Sequence, residues 1–238
     1  MEKQMTAALA RKALHRYASA RKAGILRSFF KTGAGQYGEG DIFIGVKVPE
    51  TRTIAGTFQA LPVPEILKLL HSAIHEERLL ALLILIRQYE KNNPQAKRTI
   101  VNLYLDNTRY INNWDLVDLS APRILGDWLT LAPKDILYTL AGSLCLWERR
   151  IAIVSTYAFI RRQQFADTFR LADILINDRQ DLIHKATGWM LREAGKREQR
   201  ALEDFLAPRY KKMPRTMLRY AIERFEEKKR KEYLKGLI

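Results

Sequence analysis

Apolar residues recur three and four apart along almost the whole chain, the mark of amphipathic helices, and strict alternation is confined to one short stretch. The pattern predicts a first helix over 5–22, rich in Ala, Arg and Lys. The alternating stretch, Ile-Phe-Ile-Gly-Val-Lys-Val-Pro over 42–49, reads as a short extended segment whose Pro49 opens the next helix near 50–58. Further helices are expected over 64–72, 75–92, 94–107, 113–120, 121–131, 133–141, 146–164, 166–177, 181–195, 198–206 and 214–226. Pro62, Pro64, Pro94, Pro122, Pro133, Pro208 and Pro214 fall at or near the breaks, where a missing amide proton does least harm. Residues 31–40, with four glycines, form the least regular part.

From residue 64 onward the helices come in pairs. Aligning the second helix of each pair on small or aliphatic positions gives Ala81, Val117, Ala152, Ala186 and Ala221, with steps of 36, 35, 34 and 35. Such a period in paired helices signifies an α-solenoid of the HEAT (ARM-like) or TPR kind, in which each pair buries its apolar faces by stacking on its neighbours. The expected architecture is therefore all-α: one repeat domain over 1–238 curved around a concave groove, with the Gly-rich loop at 31–40 and a charged tail at about 226–238.

Charge gives that groove a sign. Lys and Arg number 41 against 26 Asp and Glu, a net charge of +15, which favours a polyanionic partner such as nucleic acid or an anionic membrane surface. No apolar run reaches membrane-spanning length, and the N-terminal stretch lacks the apolar core and cleavage site of a secretory signal. The single cysteine, Cys145, excludes an internal disulfide framework and fits a reducing compartment, so a cytoplasmic protein is expected.

Three stretches carry candidate chemistry. In Asn-Asn-Trp-Asp-Leu-Val-Asp at 112–118, Asn112 or Asn113 is a natural N-cap, and Trp114 and Asp118, four apart, share a helical face. Structurally, Trp114 would fill core and Asp118 would cap a neighbouring helix; functionally, they would present an indole and a carboxylate together. In 181–195, Leu182, Ile183, Ala186, Met190 and Ala194 make the apolar side, whereas Lys185, Trp189 and Arg192 cluster opposite. A tryptophan between two cations suits a phosphate backbone and a sugar or base, although it could equally pack on the next repeat. Arg150 lies at the edge of an apolar face with Trp147, Ile151, Val154 and Tyr157; a half-buried guanidinium there needs an anion, either Asp118 or a nucleic-acid phosphate. Other features point away from cofactors. The Gly-rich loop lacks the Gly-Lys-Ser/Thr ending of a phosphate-binding loop and no strand precedes it, so it is better read as carrying Lys31 and Tyr37 to a partner. His71, His75 and Glu76 do not make the His-Glu-x-x-His metal pattern.

Asn-Trp-Asp-Leu-Val-Asp at 113–118 followed by Gly126-Asp127, Trp-Glu-Arg-Arg-Ile-Ala at 147–152, Lys-Ala-Thr-Gly-Trp-Met-Leu-Arg-Glu at 185–193 and Phe-Ile-Gly-Val-Lys-Val-Pro-Glu-Thr-Arg at 43–52 resemble signature segments of the AlkD family of HEAT-like-repeat alkylpurine DNA glycosylases. The resemblance implies a monofunctional hydrolase that excises positively charged N3- or N7-alkylated purines, such as 3-methyladenine and 7-methylguanine, from double-stranded DNA. It further implies a monomer that uses no cofactor, metal or membrane and leaves the base unflipped, unlike most glycosylases. Carried across residue by residue, the catalytic cleft falls on Trp114, Asp118 and Trp189 with a DNA-facing arginine at Arg150. Lys47, Arg52, Lys185 and Arg192 match positions of backbone contacts.

The chemistry suits these residues. A cationic alkylpurine leaves without protonation, so no general acid is needed; a carboxylate can stabilise the cationic sugar and accept a proton from water. Two alternatives from other classes are a HEAT-like scaffold that binds nucleic acid without chemistry and a protein-binding solenoid whose positive charge is incidental.

Overall fold

The computed structural model describes residues 5–238; the first four, part of the domain expected over 1–238, lie outside the described residues. No strand occurs among the described residues, and the chain is built from helices in two compact units, Met1–Leu116 and Val117–Ile238. The division falls inside the helix Trp114–Ser120.

The first unit centres on the helix His75–Lys91, against which Val48–Thr57 and Val63–Leu70 pack. From Leu79 to Ile86 this helix is buried on every side, as a continuous apolar run must be. Its first turn is unusual, because His75, Glu76, Glu77 and Arg78 are four consecutive ionisable residues and all are buried. Each therefore needs a partner. Glu77 receives Arg11 at 2.7 Å and His15 at 2.9 Å from the helix Ala7–His15. Burial works to raise its carboxyl, but hydrogen bonds from Arg11, Ser72 and His15 hold it below the usual glutamate value.

One expectation for this unit needs correction. The first helix, expected over 5–22, is two: Ala7–His15 and Ala20–Phe29. Ser19 breaks it, because its backbone is extended, its hydroxyl accepts from Lys22 N–H and its own N–H donates to the Ile44 carbonyl at 2.8 Å. The stretch 42–47 is non-helical, as expected of an extended segment, and pairs through a single parallel bridge between Ile42 and Ile74; Pro49 lies in the first turn of the helix that begins at Val48. The backbone donors of 44–46 go instead to one side chain. Glu76 accepts from the amides of Ile44 (3.1 Å), Gly45 (2.8 Å) and Val46 (3.3 Å). Gly45 sits at φ 84°, and a Cβ there would lie 2.3 Å from the Ser19 carbonyl oxygen, so only glycine fits. Glu76→Ala strands these amides, and a loss on the order of 3 kcal/mol is expected in chemical denaturation. A loss under about 0.5 kcal/mol would mean that water serves the amides equally well.

In the second unit successive helices pack on one another. Asp135–Ala141 packs on Leu146–Ser155, Ala166–Leu175 on Asp181–Gly195, and Gln199–Leu206 also on Asp181–Gly195. Successive second helices touch as well: Leu146–Ser155 on Asp181–Gly195, and the latter on Arg215–Ala221. The positions that define the 35-residue period are all buried: Val117, Ala152, Ala186 and Ala221 here, and Ala81 in the first unit. Small side chains at those sites let neighbouring helices approach closely.

Departures from the predicted spans have local causes. After Ser120 the chain enters a π-helical turn, Pro122–Gly126, in which Gly126 N–H bonds to the Ala121 carbonyl five residues back. Pro122 cannot donate to residue 118, which loosens the regular ladder. Gly126 is pressed against the Ser155 carbonyl, where a Cβ would come within 2.3 Å. The helix expected over 146–164 is interrupted at Thr156, whose hydroxyl donates to the Ile153 carbonyl at 2.7 Å. The charged C-terminal segment is helical over Glu227–Lys235; Tyr233 anchors it edge-on to Tyr210 and Phe225.

Candidate functional site

The indole of Trp114 is half-buried and placed by aromatic contacts within the first unit. It stacks on Phe30 with centroids 5.2 Å apart and meets the edge of Phe29 at 5.8 Å. Phe30 stacks in turn on Phe43 at 4.9 Å, and Phe43 on the His75 ring at 4.5 Å. Offset stacks of this kind fix ring orientation as well as burying area. The backbone is held too. Asn113, fully buried, accepts from Trp114 N–H at 2.8 Å through Oδ1 and donates to Asp41 at 3.1 Å through Nδ2, so the expected cap residue also ties the helix start to a remote loop.

Behind this ladder lies a buried charge cluster. The two ring nitrogens of His75 meet Asp115 at 2.8 Å and Asp41 at 3.3 Å, and Arg78 donates to Asp41 at 2.5 Å. Burial alone would raise the Asp41 carboxyl, but hydrogen bonds from His75 and Asn113 and the Arg78 guanidinium outweigh it and hold Asp41 below its usual value. Burial would likewise lower the His75 imidazole; Asp115 and Asp41 reverse this and raise it to about 8. A cavity of about 400 Å³ opens beside the ladder, lined by Ile25, Leu26, Phe30, Phe43, His75 and Asp115 among others. Neither motif nor spacing assigns this cluster to a site. The signal that could have revealed it is the run of four ionisable residues directly ahead of an unbroken apolar helix.

In the second unit the carboxylate of Asp118 is gripped by Arg150. Nε donates to Oδ1 at 2.9 Å and Nη2 to Oδ2 at 2.8 Å, the parallel fork that guanidinium and carboxylate form best. The third nitrogen, Nη1, donates to the Leu182 carbonyl at 2.7 Å, so all three guanidinium nitrogens are engaged. Of the two anions open to Arg150 from sequence, the structure selects Asp118. Arg150 is buried, whereas the Asp118 side chain keeps 19% of its surface exposed. The pair is thus a carboxylate held at two points and still partly exposed. Next to Arg150, Arg149 binds Asp178 at 2.6 Å.

The helix Asp181–Gly195 carries Trp189 half-buried, 6.2 Å from the Tyr157 ring. Ala186, Met190 and Ala194 face the core as expected. Gly188 explains how closely this helix sits on Arg215–Ala221: a Cβ there would lie 2.5 Å from the Met217 carbonyl oxygen and from Tyr220 Cβ. Gly188→Ala must push the helices apart and displace Trp189; about 1–3 kcal/mol of lost stability is expected by thermal melting. An unchanged melting temperature would mean the helices separate without cost. Of the flanking cations, Lys185 pairs with Asp181 at 2.8 Å and Arg192 with Glu223.

The remaining predicted contact residues lie in the first unit. Lys31, Lys47 and Arg52 are exposed, and Lys47 also lines the aromatic cavity. Tyr37 is half-buried, its hydroxyl donating to the Phe29 carbonyl at 3.4 Å. Lys31 adopts φ 51°, and Gly38 behind it leaves no room for a Cβ, which would lie 2.4 Å from the Phe30 carbonyl oxygen. No cluster of three or more metal-ligating side chains, and no helix long and apolar enough to cross a membrane, occurs among the described residues.

The all-helical fold is that of a solved structure described as "Predicted DNA alkylation repair enzyme from Enterococcus faecalis". That structure matches with a TM-score of 0.67 at 15% sequence identity, over 88% of this chain and 97% of that one. No curated protein sequence matches. The model of the DNA alkylation repair enzyme family matches residues 10–225, and the chain belongs to that AlkD-like family.

Proposed function

We propose that the protein is a monofunctional DNA glycosylase that hydrolyses the N-glycosidic bond of cationic N3- and N7-alkylated purines in duplex DNA. The observation that carries this reading is the partly exposed Asp118 carboxylate, held by the fork of Arg150 in a chain of net charge +15. A fixed, ionised carboxylate in a basic protein suits a cation that forms while bound to a polyanion.

The reaction needs little else. The alkylated purine leaves with the electrons of the C1′–N bond and is neutral on departure, so no proton has to be supplied. The deoxyribose becomes an oxocarbenium-like cation, which Asp118 stabilises; water attacks C1′ and Asp118 accepts its proton. Arg150 acts through Asp118 by fixing its orientation. The indole faces of Trp114 and Trp189 favour the cationic lesion through their quadrupoles, without the base leaving the helix. Lys31, Tyr37, Lys47 and Arg52 contact the DNA backbone. Lys185 and Arg192 do so while sharing their charge with Asp181 and Glu223. The helix pairs are read as HEAT-like repeats whose concave side receives the duplex. The enzyme acts as a monomer in the cytoplasm and uses no cofactor.

The test is incubation with duplexes carrying 7-methylguanine or 3-methyladenine, followed by hot alkali. Strand cleavage at the lesion is the expected result. Binding to DNA that weakens with salt but releases no base would make the protein a scaffold instead.

A further inference from the structure

His75 packs on both Phe43 and Phe30, the latter the ring that stacks on Trp114, and sits at the centre of the buried charge cluster. Two carboxylates, Asp41 and Asp115, face two cations, His75 and Arg78. Arg78 serves Asp41 at 2.5 Å, so the charge of Asp115 is met by His75 at 2.8 Å. The other oxygen of Asp115 is buried and makes no hydrogen bond. Glu76, next to His75, is spent on the amides of Ile44, Gly45 and Val46, and Lys22 and Lys47 line the same cavity. Loss of one proton from His75 therefore leaves a buried carboxylate facing a neutral ring, a state that low-dielectric surroundings penalise heavily.

The residues that would yield are those that hold Trp114. Asp115 follows it directly in the chain. Asn113, whose Oδ1 accepts from Trp114 N–H, hangs from the same Asp41 oxygen that meets His75. The stack from Trp114 through Phe30 and Phe43 ends on the imidazole face, where a charged ring gains a cation–π contact that a neutral one lacks. Backbone anchor and ring stack thus converge on one proton.

We propose that His75 is a positioning residue for Trp114: as an imidazolium bridging Asp41 and Asp115 it locks the indole in place, and its deprotonation releases it. The raised affinity of this ring for its proton, with a midpoint of about 8, puts the release just above neutral pH. For the indole the inference stands alone; its consequence for excision rests on the glycosylase reading.

The experiment is an NMR titration of the full chain from pH 6 to 10, following the His75 ring nitrogens and the Trp114 indole N–H, the latter assigned with Trp114→Phe. Both signals are expected to move together with a midpoint near 8. In His75→Gln the Trp114 signal should no longer respond to pH. Should that variant not fold, the wild-type titration decides alone. Excision of 7-methylguanine should fall roughly tenfold from pH 7 to pH 9, the fraction of imidazolium left one unit above its midpoint. A His75 midpoint below 6.5, or a Trp114 signal indifferent to pH, overturns the proposal. Absence of excision at every pH, with the two signals still moving together, overturns the glycosylase reading and leaves the coupling standing.

Discussion

Asp118→Asn is expected to slow excision of 7-methylguanine by roughly thirty- to a thousandfold while leaving duplex affinity nearly unchanged. A carboxylate about 4 Å from a unit positive charge, at an effective dielectric of about 20, stabilises it by about 4 kcal/mol. The same carboxylate about 8 Å away is worth about 2 kcal/mol. A loss of about 2 to 4 kcal/mol, converted at about 1.4 kcal/mol per tenfold, corresponds to roughly thirty- to a thousandfold. Single-turnover kinetics separate the chemical step from binding, and an unchanged rate constant would remove Asp118 from the mechanism.

Arg150→Met should cost more stability than Glu76→Ala or Gly188→Ala, about 3–5 kcal/mol, because it removes the cation that grips a largely buried carboxylate at two points. For a chain of this size that corresponds to a fall in melting temperature on the order of 10 °C. The double variant Asp118→Leu, Arg150→Met removes both charges and should recover most of the loss, since an apolar pair of similar volume avoids the desolvation that the ion pair must overcome. If the two single losses simply add, the pair is not energetically coupled and its role as the orienting element fails.

Much of this molecule was legible in its sequence. The helix expected over 181–195 is found as Asp181–Gly195, and the buried face of Ala186, Met190 and Ala194 follows from spacing alone. The 35-residue period picked out Ala81, Val117, Ala152, Ala186 and Ala221, all of them buried. These successes share a cause, because periodicity and small-residue recurrence are local properties of the chain. What escaped depends on partners far away in sequence. Glu76 reaches back about 30 residues to the amides of 44–46, which is why a stretch with strand-like alternation forms no sheet. Asn113 bonds to Asp41 across 72 positions, and His75, whose sequence neighbours suggested at most a metal ligand, joins two aspartates on separate segments. Asp118 was one of two anions the sequence offered Arg150, and the packing of whole helices decides for it.

The last helix has a consequence for how the chain can be cut. The family match ends at residue 225, yet Tyr233 lies beyond it and buries its ring among Tyr210, Phe225 and their neighbours. Trimming the protein to its matched span would strip Tyr233 from this cluster and uncover apolar side chains that other copies could grip. Such a truncated form should be more prone to clumping than one that keeps the helix Glu227–Lys235, which lays a row of charged side chains over that seam.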